Sequence, residues 1–99
     1  MWILQGSAPE GDSFVFRLPS GAIKTVGRAT RADFILDAAL VSRLHCRLTA
    51  HNERVEVEDL ASTNGIYVND KRVMRAELAS GDRLRVGRVE LTIEKAQNA

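Results

Sequence analysis

Ninety-nine residues, 44% of them apolar and 27% charged, make one domain with a single core and exclude a wholly disordered chain. Fourteen Lys and Arg stand against thirteen Asp and Glu, interspersed throughout, so the chain lacks the basic excess that a general nucleic-acid or membrane-surface binder needs. A lone cysteine, Cys46, excludes an intramolecular disulfide, and no cluster has the spacing of zinc ligands.

The chain opens on the strand candidate Trp2-Ile3-Leu4, where Trp2 is expected to pack rather than recognise. This start has no basic flank and too short an apolar run for a leader peptide, and no later stretch has membrane-spanning length. The expected setting is cytoplasmic, or nuclear in a eukaryote. Phe14, Phe16 and Leu18 then alternate with Val15 and Arg17, which places apolar side chains on one sheet face. Ala22 to Val26, Phe34-Ile35-Leu36 and Leu44 to Thr49 are further short candidates. Val55 and Val57 alternate with Glu56 and Glu58, Ile66-Tyr67-Val68 and Leu84-Arg85-Val86 follow, and Val89, Leu91 and Ile93 alternate with Glu90, Thr92 and Glu94.

Between these stretches stand Pro19-Ser20-Gly21, Asn64-Gly65, Asn69-Asp70, Ser80-Gly81-Asp82 and Gly87-Arg88, each with turn chemistry. Asn69-Asp70 fits a two-residue hairpin, because both residue types tolerate positive φ. Met74 to Leu78 has a helical look but is too short to count. Short strands with regular turns predict an all-β sandwich or barrel whose loops gather at the sheet ends. One domain is expected over residues 1–99, with a core from about 2 to 94 and a short flexible tail at 95–99.

Three polar breaks interrupt the apolar pattern. Gly27-Arg28 ends one strand candidate, and an arginine there offers a planar fork that matches phosphate oxygens. Alone, it is an ordinary surface arginine at a turn. Ser42-Arg43-Leu44-His45 adds a hydroxyl, a second charge and a histidine. His45 alternates with Leu44 and Cys46, so it is expected to lie off the main apolar face and to hold a loop by hydrogen bonding. Asp59-Leu60-Ala61-Ser62-Thr63-Asn64-Gly65 leaves a strand and turns. Asp59 reads as a loop-fastening acceptor, whereas the Thr63 hydroxyl and the Asn64 amide together can hold an extended peptide.

In this order, and with these strands between, the three breaks resemble the forkhead-associated (FHA) domain family. Gly27-Arg28, Ser42-Arg43-Leu44-His45, the run from Asp59 to Gly65 and the later Asn69 all match its pattern, and Leu78 to Leu84 resembles its late Gly-Asp turn. The resemblance covers roughly residues 2 to 94. It implies a two-sheet β-sandwich of about eleven short strands, FHA/SMAD-like, with binding loops at one end. It also implies a module that recognises phosphothreonine in partner proteins and mediates phosphorylation-dependent protein–protein interaction without catalysis. Arg28, Ser42, Arg43 and Thr63 would hold the phosphate, and Asn64 would bind peptide backbone beside it. Gly27 and His45 would support the loops, while Gly65 and Asn69 would shape turns. Phosphothreonine would be preferred to phosphoserine through its extra methyl group.

The implied partner is a phosphothreonine-containing protein or peptide, such as a Ser/Thr kinase or its substrate, bound by a monomer. No metal, cofactor, nucleic acid or membrane is expected. Some family members carry a basic residue two positions before the serine and use it to select acidic residues C-terminal to the phosphothreonine. That place is Leu40 here, which leaves an aliphatic or shape-based choice open. Arg31 sits in a loop that could flank the peptide, or is simply solvated.

Other readings make different demands. Ser42, His45 and Asp59 can be drawn as a nucleophile, base and acid, but a strand would place residues three apart on opposite faces. A member that keeps only the fold would be expected to lose the arginine or the serine, and both are present. A third reading combines both modes, with the module reading a phosphothreonine within its own longer protein.

Overall fold

The computed structural model describes residues 1–96 and holds eleven strands in two sheets. In chain order they are β1 (Trp2–Ser7), β2 (Ser13–Leu18), β3 (Ile23–Gly27), β4 (Phe34–Ile35), β5 (Cys46–Ala50) and β6 (Val55–Asp59), then β7 (Ile66–Val68), β8 (Lys71–Val73), β9 (Arg75–Leu78), β10 (Arg83–Val86) and β11 (Val89–Lys95). One sheet runs β2-β1-β11-β10-β7-β8, and the other runs β4-β3-β5-β6-β9. Every pairing is antiparallel except β3 with β4.

Period-two alternation builds the core between the sheets. Trp2, Leu4, Leu18, Leu84, Leu91 and Ile93 face inward from the six-stranded sheet, and Val26, Leu48, Val55, Val57 and Leu78 meet them from the other. Each buried aliphatic side chain of this kind contributes about 1.5–3 kcal/mol of transfer free energy. Trp2 is packed as expected, and its indole Nε1–H donates to the His51 carbonyl at 2.8 Å, which ties β1 to the turn after β5. On the outer face of the smaller sheet, Arg47 pairs with Glu58 across the strands, and Arg75 reaches Glu56.

Two strands escape the alternation pattern. β8 carries Lys71 and Arg72 at exposed positions, so nothing in its hydropathy marks it. It forms because Asn69 and Asp70 turn at φ 49° and 72° and fold Lys71 back onto Val68. The helical-looking stretch becomes β9: Ala76 and Leu78 turn toward the core, Arg75 and Glu77 turn out, and β6 supplies the hydrogen bonds. A single turn of helix could not offset its own nucleation cost.

Other bounds shift as well. The strand expected from Leu44 opens at Cys46, so residues 42–45 are loop. The last strand extends through Lys95, which pairs with Trp2, and Ala96 N donates to the Met1 carbonyl at 2.9 Å. Residues 97–99 of the expected tail lie outside the described residues.

Candidate functional site

Gly27 ends β3 where the loop after β4 crosses it. A Cβ at that position would overlap the Arg43 carbonyl, so only glycine lets residues 42–44 lie against the strand end. The contact is sealed by backbone bonds. Arg28 N donates to the Ser42 carbonyl at 2.9 Å, Ala29 N to that of Arg43 at 3.1 Å, and His45 N to that of Val26 at 2.8 Å.

His45 is fully buried, not on an outer face as its alternation suggested. It leaves the strand pattern because it precedes β5 in the loop, and its ring turns inward to satisfy two backbone groups. Ser42 N–H donates to Nδ1 at 3.0 Å, and Nε2 lies 2.7 Å from the Gly65 carbonyl. A backbone amide can only donate, so the ring carries its proton on Nε2 and donates it to Gly65. One side chain thus bridges the loop after β4 to the loop after β6. Gly65 itself sits at φ +76°, and a Cβ there would lie 2.7 Å from Arg72 Nε.

The loop after β6 is fastened by Asp59, which accepts from Ser62 N at 3.2 Å and from the Ser62 hydroxyl. Ser62 Oγ in turn accepts from Gly65 N at 2.9 Å. These bonds turn Ser62 inward and leave Thr63 exposed at the tip. The triad drawing therefore fails on geometry. Both His45 ring nitrogens are taken by backbone groups and Asp59 is taken by Ser62, so no base is left for the Ser42 hydroxyl. Neighbouring Cys46 is no nucleophile either, because burial, and then the Asp59 charge, push its thiol up to about 12.

An open pocket of about 510 Å³ lies over this bridge. Arg28, Ser42, Thr63 and Asn64 all line it, together with Glu10, Asp37 and residues 38–41. Arg28 Nε donates to the Val41 carbonyl at 3.0 Å, which aims the guanidinium while its two terminal amino groups have no partner among the described residues. Arg28 makes no ion pair among the described residues. Ser42 Oγ accepts from Thr63 N at 3.1 Å, so its own hydroxyl hydrogen is left to donate. Asn64 Nδ2 donates to the Leu40 carbonyl at 3.0 Å. That bond secures Leu40, which holds φ 69° although it is a branched residue and 49% exposed.

The expected phosphate set is divided by the fold. Arg28, Ser42 and Thr63 come together, but Arg43 does not line their pocket. Arg43 lies in the bend before β5 and lines a neighbouring cleft with Ala29, Thr30, Arg31 and Leu44. Asn69 is also remote from the pocket, at the other end of β7 in the hairpin turn. Glu10, Asp37, Ala38, Ala39 and Val41 are pocket residues that sequence reasoning missed, whereas Leu40 was singled out there for its place before Ser42 and not for its backbone. No local motif marks them, and a non-glycine residue with positive φ, Leu40, leaves no signature in composition.

Asp33 closes the loop that carries Arg28 to Arg31. Its carboxylate accepts from Thr25 N at 2.8 Å and from Thr25 Oγ1 at 3.1 Å. The backbone hydrogen bond from Thr25, then the hydroxyl bond and the Lys24 charge, hold its carboxyl below the ordinary value.

Comparison with known proteins places these features in a family. The FHA domain profile matches residues 24–87. The glycogen accumulation regulator GarA of Mycobacterium tuberculosis is 40% identical over 70 residues, which cover 71% of this chain and 43% of GarA. The chain therefore spans under half the length of that relative. An oxoglutarate dehydrogenase inhibitor of Corynebacterium diphtheriae is 30% identical over 99 residues, covering 100% of this chain and 67% of that protein. Among solved structures, the FHA domain of CT664 from Chlamydia trachomatis superposes with a TM-score of 0.87 at 25% identity, over 97% of this chain and 98% of that one. The FhaA FHA domain, solved in complex with the intracellular domain of Rv3910, gives 0.81 at 32% identity, over 95% and 100%.

Proposed function

This chain belongs to the FHA domain family, and from that premise we propose that it binds phosphothreonine peptides and so joins partner proteins only after they are phosphorylated. The observation that carries the reading is the convergence of Arg28, Ser42 and Thr63 on one open pocket with donors left over. A phosphothreonine brings about −1.5 to −2 charge and three strong acceptor oxygens. The Arg28 fork offsets part of that charge, and the Ser42 and Thr63 hydroxyls supply neutral donors. Asn64, which already fastens Leu40, keeps its side-chain carbonyl for a peptide amide. An unphosphorylated threonine would leave these donors desolvated and unpaired, which sets the difference between the two states of the partner.

The domain performs no chemistry in this reading. Its partner is a phosphothreonine-bearing protein, such as a Ser/Thr kinase or a kinase substrate. The names of the relatives, a glycogen accumulation regulator and an oxoglutarate dehydrogenase inhibitor, support a regulatory role.

Fluorescence anisotropy with degenerate phosphothreonine, phosphoserine and unphosphorylated peptide libraries tests this directly. Binding is expected for phosphothreonine alone, and Arg28→Ala is expected to weaken it at least about tenfold, because charge-assisted bonds contribute about 1.5–3 kcal/mol each. Equal binding, or none, to all three libraries by the folded protein would refute the proposal.

A further inference from the structure

We infer that Asn64 and Gly65 form a latched self-modification site, at which the chain deamidates Asn64 when the loop after β6 opens and so disables its own pocket. The loss of binding, though not the chemistry, rests on the phosphothreonine reading above.

Asn64-Gly65 is the single Asn-Gly step in the sequence. Its reaction needs only hydroxide and water. The Gly65 amide nitrogen gives up its proton to hydroxide and attacks Asn64 Cγ, the Cγ–Nδ2 bond breaks, and the amino group leaves as ammonia. Water then opens the cyclic imide at either carbonyl. The product is aspartate or, with the main chain rerouted through Cγ, isoaspartate. Glycine eases the attack because no side chain crowds the nitrogen. Asn52 and Asn69 precede Glu53 and Asp70, which do crowd it.

In the folded loop both reacting groups are engaged elsewhere. Gly65 N–H donates to Ser62 Oγ at 2.9 Å, and Asn64 Nδ2 donates to the Leu40 carbonyl at 3.0 Å. Asp59 accepts from the Ser62 hydroxyl, which leaves the Ser62 oxygen to serve Gly65 as an acceptor. Gly65 is buried, and its carbonyl is held by His45. Attack therefore waits until the Ser62 and Leu40 bonds both break. That is a local opening of a polar loop, with exposed Thr63 and half-buried Asn64 at its tip, and it does not require global unfolding.

The product opposes what the pocket is built to hold. An aspartate in place of Asn64 loses the donor that secures Leu40 and adds a third carboxylate to those of Glu10 and Asp37, against Arg28 alone. Three carboxylates around one guanidinium repel a phosphate dianion. Isoaspartate also lengthens the main chain by one methylene, just ahead of the carbonyl that His45 holds.

The test incubates the unmutated protein, Ser62→Ala and Ser62→Thr at neutral and mildly alkaline pH, beside unmutated protein unfolded in guanidinium chloride. Thermal melts establish which variants are folded, and mass spectrometry of the tryptic peptide 55–71 follows the exchange of amide for acid at Asn64. Conversion should rise with pH and run at least about tenfold slower in the folded than in the unfolded chain. Ser62→Ala should speed it about threefold to tenfold, the worth of one hydrogen bond, while Ser62→Thr keeps the hydroxyl and stays near the unmutated rate. Aged protein and Asn64→Asp should each bind phosphothreonine peptide at least about tenfold more weakly by anisotropy.

Equal rates in the folded and unfolded chains, or in Ser62→Ala and the unmutated protein, would overturn the latch. If Ser62→Ala does not fold, the folded-to-unfolded ratio and the Ser62→Thr rate decide instead. Undiminished binding by the deamidated protein would overturn the disabling role. An unmutated protein that binds no phosphothreonine peptide removes the phosphothreonine reading and the loss of binding with it, and the mass measurement still decides the chemistry.

Discussion

The two ends of β7 are tied by polar side chains in different ways. At the Gly65 end, buried His45 bridges two loops, and the groups around it keep donors in reserve: the Arg28 amino groups, the Ser42 hydroxyl hydrogen and the exposed Thr63. At the Asn69 end, each side-chain nitrogen and oxygen of Asn69 and Asp82 already has an internal partner. Asn69 Nδ2 donates to Asp82 Oδ1 at 3.1 Å and its Oδ1 accepts from Arg83 N at 2.9 Å, while Asp82 Oδ2 accepts from Ala79 N at 2.8 Å. Both ends close turns at positive φ, and both use the polar residues expected of turns. They differ in unused hydrogen-bonding capacity. A polar cluster that consumes its own donors builds the fold, whereas one that keeps them, aimed and braced, is prepared for a ligand.

The comparison breaks first at His45. Alanine there would leave Ser42 N–H and the Gly65 carbonyl without their partner, and a cavity in place of the ring. An unsatisfied buried group costs about 1–3 kcal/mol, so His45→Ala should lose about 3–5 kcal/mol of unfolding free energy in urea. For a domain this small, that is a Tm lower by more than about 10 °C. Any protein that stays folded should also bind phosphothreonine peptide more weakly, since Ser42 and Thr63 would no longer be held in register. A loss under about 1 kcal/mol would mean that something other than the imidazole joins the two loops.

His45 also marks where sequence reading stops. The motifs bring its name forward, and a loop-holding role is readable from them, but its burial is not. Period two carried past the start of β5 sets it on the wrong face, because the chain leaves the strand one residue earlier. The sandwich itself was legible wherever one face is buried, as in β2, β6 and β11, where alternation is explicit. β8 was not, since its pairing comes from the Asn69-Asp70 turn rather than from its own side chains. At the pocket, Arg28, Ser42, Thr63 and Asn64 stand in motifs, so they could be named in advance. The Glu10 and Asp37 rim and the separation of Arg43 could not, because both depend on which side of a crossing chain each side chain takes.

Asp82 provides the counterpart at the other end. Asp82→Ala removes acceptors from Asn69 and from Ala79 N, but both groups sit where water can replace the lost partner. A loss of about 1 kcal/mol is expected in the same urea measurement, with phosphopeptide affinity unchanged by anisotropy. That pairing of a modest stability loss with intact binding is what a polar cluster partnered within the fold should give. A binding loss comparable to that of Arg28→Ala would erase the distinction between the two ends.

The smallest effect concerns Asp33, which belongs to the binding end yet behaves like the other in spending its acceptors on the fold. Its folded-state carboxyl lies below the ordinary value of 3.8, chiefly through the Thr25 backbone hydrogen bond. The stabilisation it contributes is therefore present above the unfolded-state value and is lost as pH falls through the lower, folded one. The Thr25 amide reports this directly. Its NMR shift should titrate with a midpoint under 3.8 in the unmutated protein and show no such step in Asp33→Asn. Glu56, held low by its hydrogen bond to Arg75, adds its own acid-range loss in both proteins, so the difference between them isolates Asp33. If the Thr25 amide titrated at or above the ordinary value, the Arg31 loop would not be pinned by that carboxylate. The cation it presents beside the pocket would then have to be held by its backbone turn alone.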